Sequence, residues 1–104
     1  MNSAPLKADL QALLAALRIR SLRLEAQLAG ARARLTQAEA SAVEAEANLS
    51  QQQELDRRGV SARQALVSYQ AEAARAAAAV DIARADLTLA EANLELAVAD
   101  VEKT

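Results

Sequence analysis

The side chains able to do chemistry in this chain are fourteen carboxylates, twelve basic groups, one tyrosine and a scatter of serine and threonine hydroxyls, with no histidine and no cysteine. Nucleophilic catalysis needs a Ser, Cys or Thr set against a base, and no such pairing can be read from the sequence. No glycine-rich phosphate loop is present, since Gly30 and Gly59 are the only glycines. The carboxylates are spread along the chain instead of clustered. Glu44 and Glu46, two residues apart, would point in different directions on a helix. The reading is therefore a non-enzymatic chain with no cofactor and no metal site. Arg57 and Arg58 next to Gly59 are the densest basic group. Two arginines without aromatic neighbours are a weak basis for binding nucleic acid, and the net charge of −2 supplies no field to attract it.

Composition points to the elements that must carry these groups. The chain has 104 residues, 1% aromatic and dominated by Ala, Leu, Glu and Arg, the usage of long helices and coiled coils. With a single proline, Pro5, and two glycines there is little material for loops. Pro5 suits the first turn of a helix, where its missing N–H costs nothing. From there to Arg57 only Gly30 weakens the helix, by roughly 1 kcal/mol relative to Ala. Gly59 suits the left-handed residue that ends a helix. Ser61 then reads as an N-cap, Gln64 as the other half of a capping box, and Val60 as the apolar residue before the cap. The expectation is an all-α chain forming one long antiparallel two-helix coiled-coil hairpin, with helices over about 5–57 and 62–103 and a turn at 58–61. No run approaches the ~18 apolar residues of a membrane span. Met1-Asn2-Ser3 suits an added start, so the chain is read as a piece of a longer protein.

The apolar spacing sets the register. In the first arm a three–four stripe runs Leu10, Leu14, Leu17, Ser21, Leu24, Leu28, Ala31, Leu35, Ala38, Ala42, Ala45, Leu49. In the second it runs Leu66, Tyr69, Ala73, Ala76, Val80, Ala83, Leu87, Ala90, Leu94, Ala97, Val101. Folded at Gly59, positions equidistant from that glycine meet: Leu49 with Tyr69, Leu35 with Ala83, Ala31 with Leu87, Leu28 with Ala90, Leu17 with Val101. Large residues mostly oppose small ones, which lets the layers fill without overpacking. Charge agrees, because residues 1–35 carry six basic and two acidic groups and residues 76–104 carry two basic and six acidic. One flank sets Arg20 near Asp100 and Arg34 near Asp86; the other sets Arg32 near Arg84 and Glu25 near Glu91. A second stripe lies opposite the seam, Ala12, Ile19, Ala26, Ala33, Ala40 and Ala47 in one arm and Ala71, Ala78, Ala85, Ala92 and Ala99 in the other. Helix propensity alone accounts for the repeated alanines, while a second packing face is the alternative; beside the latter stripe, Ile82, Leu89 and Leu96 recur every heptad and favour a lateral partner, since they gain nothing from the seam.

Two segments carry a family resemblance. Glu-Leu-Asp-Arg-Arg-Gly-Val-Ser-Ala-Arg-Gln-Ala-Leu (54–66) forms the turn, and Leu-Glu-Leu-Ala-Val-Ala-Asp-Val-Glu-Lys-Thr (94–104) ends the second arm. Together they resemble the α-hairpin of periplasmic adaptor proteins, also called membrane fusion proteins, of the HlyD family. There a turn of the type Leu-x-x-x-Gly-x-x-Ser precedes the return helix. Drug-efflux members often carry an Arg, a Leu four residues on and a Ser seven further on. Here Ser61 fits the last position, Ser50 and Glu54 stand at the other two, and Leu55 is one residue out of step. The resemblance implies a coiled-coil hairpin that crosses the periplasm of a Gram-negative cell, in efflux or type I secretion. Its tip, Leu55, Arg57, Arg58, Gly59, Val60 and Ser61, would meet a TolC-like outer-membrane channel. The rest of the parent would contact an inner-membrane transporter, and a homo-oligomer of about six side-by-side copies would form a tube. Nucleic acid would play no part. The alternative is a structural or dimerisation coiled coil with no transport role.

Overall fold

Two helices account for nearly the whole chain. The computed structural model describes residues 4–60 and 62–103, and contains α1, Ala4–Arg57, and α2, Arg63–Glu102. They fold back on each other as an antiparallel coiled-coil hairpin, a rod of 90 × 18 × 15 Å. The long dimension follows from α1, whose 54 residues rise about 81 Å at 1.5 Å per residue. No described helix is long and apolar enough to cross a membrane.

The seam lies where the apolar spacing puts it. The buried residues are Ala31, Ala45, Val80, Ala83, Ala90 and Ala97, and every one belongs to the two mirrored stripes. Leu17, Leu24, Leu28, Leu35 and Leu49 of α1 are half-buried, as are Leu66, Tyr69, Leu87 and Leu94 of α2. A two-helix layer cannot enclose a leucine on all sides, so alanines are the most buried and leucines roof the joint. Register shows in the residues that share a groove. Leu17 and Ser21 lie with Leu94, Ala97 and Val101 near the open end, and Gln27 and Ala31 with Leu89, Ala90 and Asn93 midway. Ala38 and Ser41 share a third groove with Ala79, Ile82 and Ala83. Leu17 and Val101, and Ser21 and Ala97, are equidistant from Gly59, and Gln27 with Ala90, Ala38 with Ala79 and the Arg20–Asp100 ion pair lie within two residues of it, so there is no heptad slip.

One flanking ion pair forms as the charges predict, with Arg20 Nη2 4.0 Å from Asp100 Oδ2 and both side chains more than half exposed. At that distance and exposure it tunes register and adds little stability. Arg34 and Asp86 border the same grooves, but the Arg34 guanidinium folds back along its own helix, where Nη1 would lie 3.3 Å from a Cβ on Gly30. Thr36 and Thr88 donate their hydroxyls to the carbonyls of Arg32 and Arg84, at 3.1 and 3.0 Å, so neither breaks the helix.

Two expectations need correction. The seam does not hold Leu10 and Leu14, which are more than half exposed, and Val101, although it borders the groove with Leu17, is 51% exposed at its open end. The helix α2 ends at Glu102, whose counterpart across the seam is Ala16, so the first turns of α1 have no opposing helix among the described residues. Leu6 and Leu13 are exposed there too. The turn is also one residue longer than expected. The N-cap of α2 is Ala62, extended at φ −73° and ψ 136°, with no side-chain cap bond. With the cap at Ala62, Gln64 and Val60 are out of step for a capping box and an apolar staple; Ser61 itself lies outside the described residues.

Candidate functional site at the hairpin tip

The only break in helical backbone hydrogen bonding among the described residues, apart from the chain ends, is the tip. Its geometry follows from Gly59, which has φ +76°. A residue with a Cβ would be strained there by about 1–2 kcal/mol, although nothing lies within 4 Å of the place a Cβ would take. The left-handed turn lets the Val60 N–H reach the Leu55 carbonyl at 3.0 Å and the Gly59 N–H reach the Asp56 carbonyl at 2.9 Å. This is the Schellman pattern, which satisfies carbonyls that a helix end otherwise leaves open. The Arg58 N–H still bonds the Glu54 carbonyl at 3.2 Å. On the return side, the Ala65 and Leu66 N–H groups share the Ala62 carbonyl at 3.0 and 3.3 Å.

The side chains around this turn divide into an apolar pair and a charged trio. Leu55 is half-buried and Val60 is 69% exposed. Arg57 and Arg58 are exposed and stand at the negative end of the α1 dipole. Both reach the same carboxylate: Arg57 Nη2 bonds Glu54 Oε2, and Arg58 Nε lies 3.3 Å from Glu54 Oε1. One carboxylate thus holds two guanidinium groups by three- and four-residue spacing along one helix face. Glu54 is therefore part of the tip's charge arrangement, which the reading of Arg57 and Arg58 alone missed. The signal was present in the sequence as Glu-x-x-Arg-Arg (54–58), the spacing at which helical side chains meet.

The structure brings Leu55, Arg57, Arg58, Gly59 and Val60 together at one end of the rod. Ile82, Leu89 and Leu96 are elsewhere, on the outer face of α2, at 63, 61 and 62% exposure. Among the described residues no polar or charged side chain is buried, and no three carboxylates gather where a metal ion would sit. What the tip can do chemically is recognition: charge-assisted hydrogen bonds from two arginines, next to a small apolar knob, on a preorganised turn. Comparison with protein-family models, curated proteins and solved structures gives no match to this chain.

Proposed function

We propose that the hairpin is the coiled-coil arm of a periplasmic adaptor, linking an inner-membrane transporter to a TolC-like outer-membrane channel in efflux or type I secretion. The supporting observation is the turn: a Leu-x-x-x-Gly-x-Ser sequence (55–61), one residue shorter between Gly and Ser than the family's type, at the end of a 90 Å rod, with Arg57, Arg58 and Val60 exposed on it. A rod of this kind carries recognition to a distance, and its end is where backbone and side-chain groups are available to a partner. In this reading the parent is anchored at the inner membrane, the arm stands in the periplasm, and the tip meets the helical end of the channel through Leu55, Arg57, Arg58, Gly59, Val60 and Ser61.

A second reading is a structural or dimerisation coiled coil with no transport role. The contact of both arginines with Glu54 favours it, because it gives them a complete account as helix-end groups. Replacing Arg57 and Arg58 by Ser in the full-length parent separates the two. Under the adaptor reading the helix content of the arm is retained while export and cross-linking to the channel are lost. Retained export with normal channel cross-linking would reduce the arginines to helix-end groups and remove them from docking.

A further inference from the structure

The turn is a three-residue interruption in an otherwise unbroken heptad pattern. The seam stripe of α1 continues past Leu49 through Gln52 and Asp56 to Gly59, and that of α2 continues back from Leu66 through Ala62 to the same glycine. Steps of three and four alternate all the way from Leu10 to Val101 except at Gly59, where two threes adjoin. That is a stammer, the phase break made by three extra residues. With Gly59, Val60 and Ser61 taken out, Asp56 leads to Ala62 and Leu66 in phase, and one heptad stripe runs through both arms. Little else holds the tip closed. The N-cap of α2, Ala62, makes no side-chain cap bond. The contacts of Glu54 with Arg57 and Arg58 lie within α1 and do not depend on where α2 goes. The reversal rests on the left-handed Gly59 and on the bonds from the Gly59 and Val60 N–H groups to Asp56 and Leu55. A helix continued through 58–62, which holds no proline, would satisfy the same carbonyls.

We propose that the chain has a second folded form, a two-fold exchanged dimer: the tip straightens, each copy becomes one continuous helix, and α1 of one copy packs antiparallel on α2 of the other. The seam is the same in both forms, because residues equidistant from Gly59 meet in either, Leu24 with Leu94 and Ala31 with Leu87 among them. The flanking pair of Arg20 and Asp100 reforms between copies. The exchange keeps the contacts and replaces closure within one chain by association of two, so concentration governs it. A short connection acts as a local concentration of millimolar order or more, which makes the hairpin the form of the dilute chain. Gly59 selects that form. Its φ of +76° is free of strain in the turn, whereas a continued helix disfavours glycine more than any residue except proline. The dimer has no end turn. Arg57, Arg58 and Val60 would lie at the middle of a rod roughly 165 Å long, at 1.5 Å per residue. Opening therefore takes the tip away from the end of the rod, whatever the tip binds, and the proposal does not rest on the adaptor reading.

Gly59→Ala in the 104-residue chain tests this. Alanine is strained in the turn and favoured in the helix, in both copies. The dimer constant is therefore expected to tighten about a thousandfold, from on the order of 10 mM to on the order of 10 μM. Light scattering on a size-exclusion column should show the mass doubling as concentration rises. X-ray scattering should show the longest dimension growing from 90 Å to roughly 165 Å, with helix content by circular dichroism unchanged. A chain lacking Gly59, Val60 and Ser61 has no reversing residues and an unbroken heptad, and should be a dimer of that length already at low micromolar concentration. Gly59→Ala that keeps the monomer mass up to about 1 mM would overturn the proposal. A doubled mass without the added length would mean two intact hairpins and overturn it too. Should Gly59→Ala lose its helix, the deletion variant decides by the same readouts: a monomer, or a second loss of helix, would show that the seam cannot be shared between copies. None of these readouts involves export, so this proposal and the adaptor reading fail separately.

Discussion

Leu24→Ala is expected to unfold the hairpin several times more effectively than Ala38→Ser. Leu24 lies on the seam opposite Leu94, both half-buried, beside the groove formed by Leu17, Ser21 and Ala97. Full burial of a leucine side chain contributes about 1.5–3 kcal/mol, and Leu24 realises most but not all of it. The space left by truncation opens onto that groove, so water enters it and little is added for a closed cavity. The loss then falls at the low end of the ~2–5 kcal/mol range for such changes, near 2 kcal/mol, with a few tenths returned by the better helix propensity of Ala. Ala38 is also half-buried at the seam, but serine there adds one oxygen that can bond the carbonyl four residues back, as Thr36 and Thr88 do. Its cost is the propensity difference, about 0.5 kcal/mol. At roughly 4–8 °C per kcal/mol for a domain of this size, the melting temperature falls by about 8–16 °C for Leu24→Ala and about 2–4 °C for Ala38→Ser. Thermal melts by circular dichroism of both variants at one protein concentration measure this. Equal losses would refute the seam, because they would mean Leu24 is no more enclosed than Ala38.

Gly30→Ala should raise the melting temperature by a few degrees, since an interior helical glycine costs about 1 kcal/mol and the only close neighbour of the new methyl is the flexible end of Arg34, 3.3 Å away. A lower melting temperature would mean Arg34 cannot move aside. Ala31→Leu should destabilise by about 1–3 kcal/mol despite the usual preference for leucine in such seams, because Ala31 is 1% exposed and faces Leu87; a urea titration that shows stabilisation would mean the layer has spare volume. Gly59→Ala should cost about 1–2 kcal/mol, all of it from the backbone, and Gly59→Asn less, since asparagine tolerates the left-handed region. Equal melts for Ala and Asn would show that the turn rearranges instead of straining.

The hairpin was legible because every level of the sequence says the same thing. The absence of glycine and proline between 6 and 29 and between 62 and 103 allows long helices, and the heptad spacing gives each one a buried edge. The mirror relation of the two stripes about Gly59 then fixes the register without any contact being seen. What the spacing does not encode is where pairing stops. Leu10 and Leu14 continue the α1 pattern without a flaw, yet both are exposed because α2 ends before it can reach them. Periodicity reports which face of a helix is apolar; only the length of the partner decides whether that face is covered. The α2 start was misjudged for a related reason. Ser61 is the better cap by residue type, but the N-cap of α2 is Ala62, whose backbone carbonyl accepts from the Ala65 and Leu66 N–H groups.

The tip shows why a site is harder to read than a fold. Arg57 and Arg58 stand where a helix end favours cations, and Glu54 stands where a helix face lets one carboxylate hold both. Each fact has a structural cause, and none requires a partner. The same arrangement nevertheless suits recognition. Each guanidinium has five donors, more than the contacts with Glu54 use, and the carboxylate limits the rotamers the arginines would otherwise lose on binding. Glu54→Gln in the parent therefore separates capping from preorganisation. The amide still accepts hydrogen bonds, so helix content stays close to that of the parent, while the charge that restrains both arginines is removed. If Glu54 preorganises a docking surface, cross-linking to the channel weakens without a matching loss of helix, and Arg57→Ser with Arg58→Ser weakens it further. If Glu54→Gln leaves cross-linking unchanged while the double serine variant abolishes it, the arginines dock without help from Glu54, and the preorganisation argument is wrong.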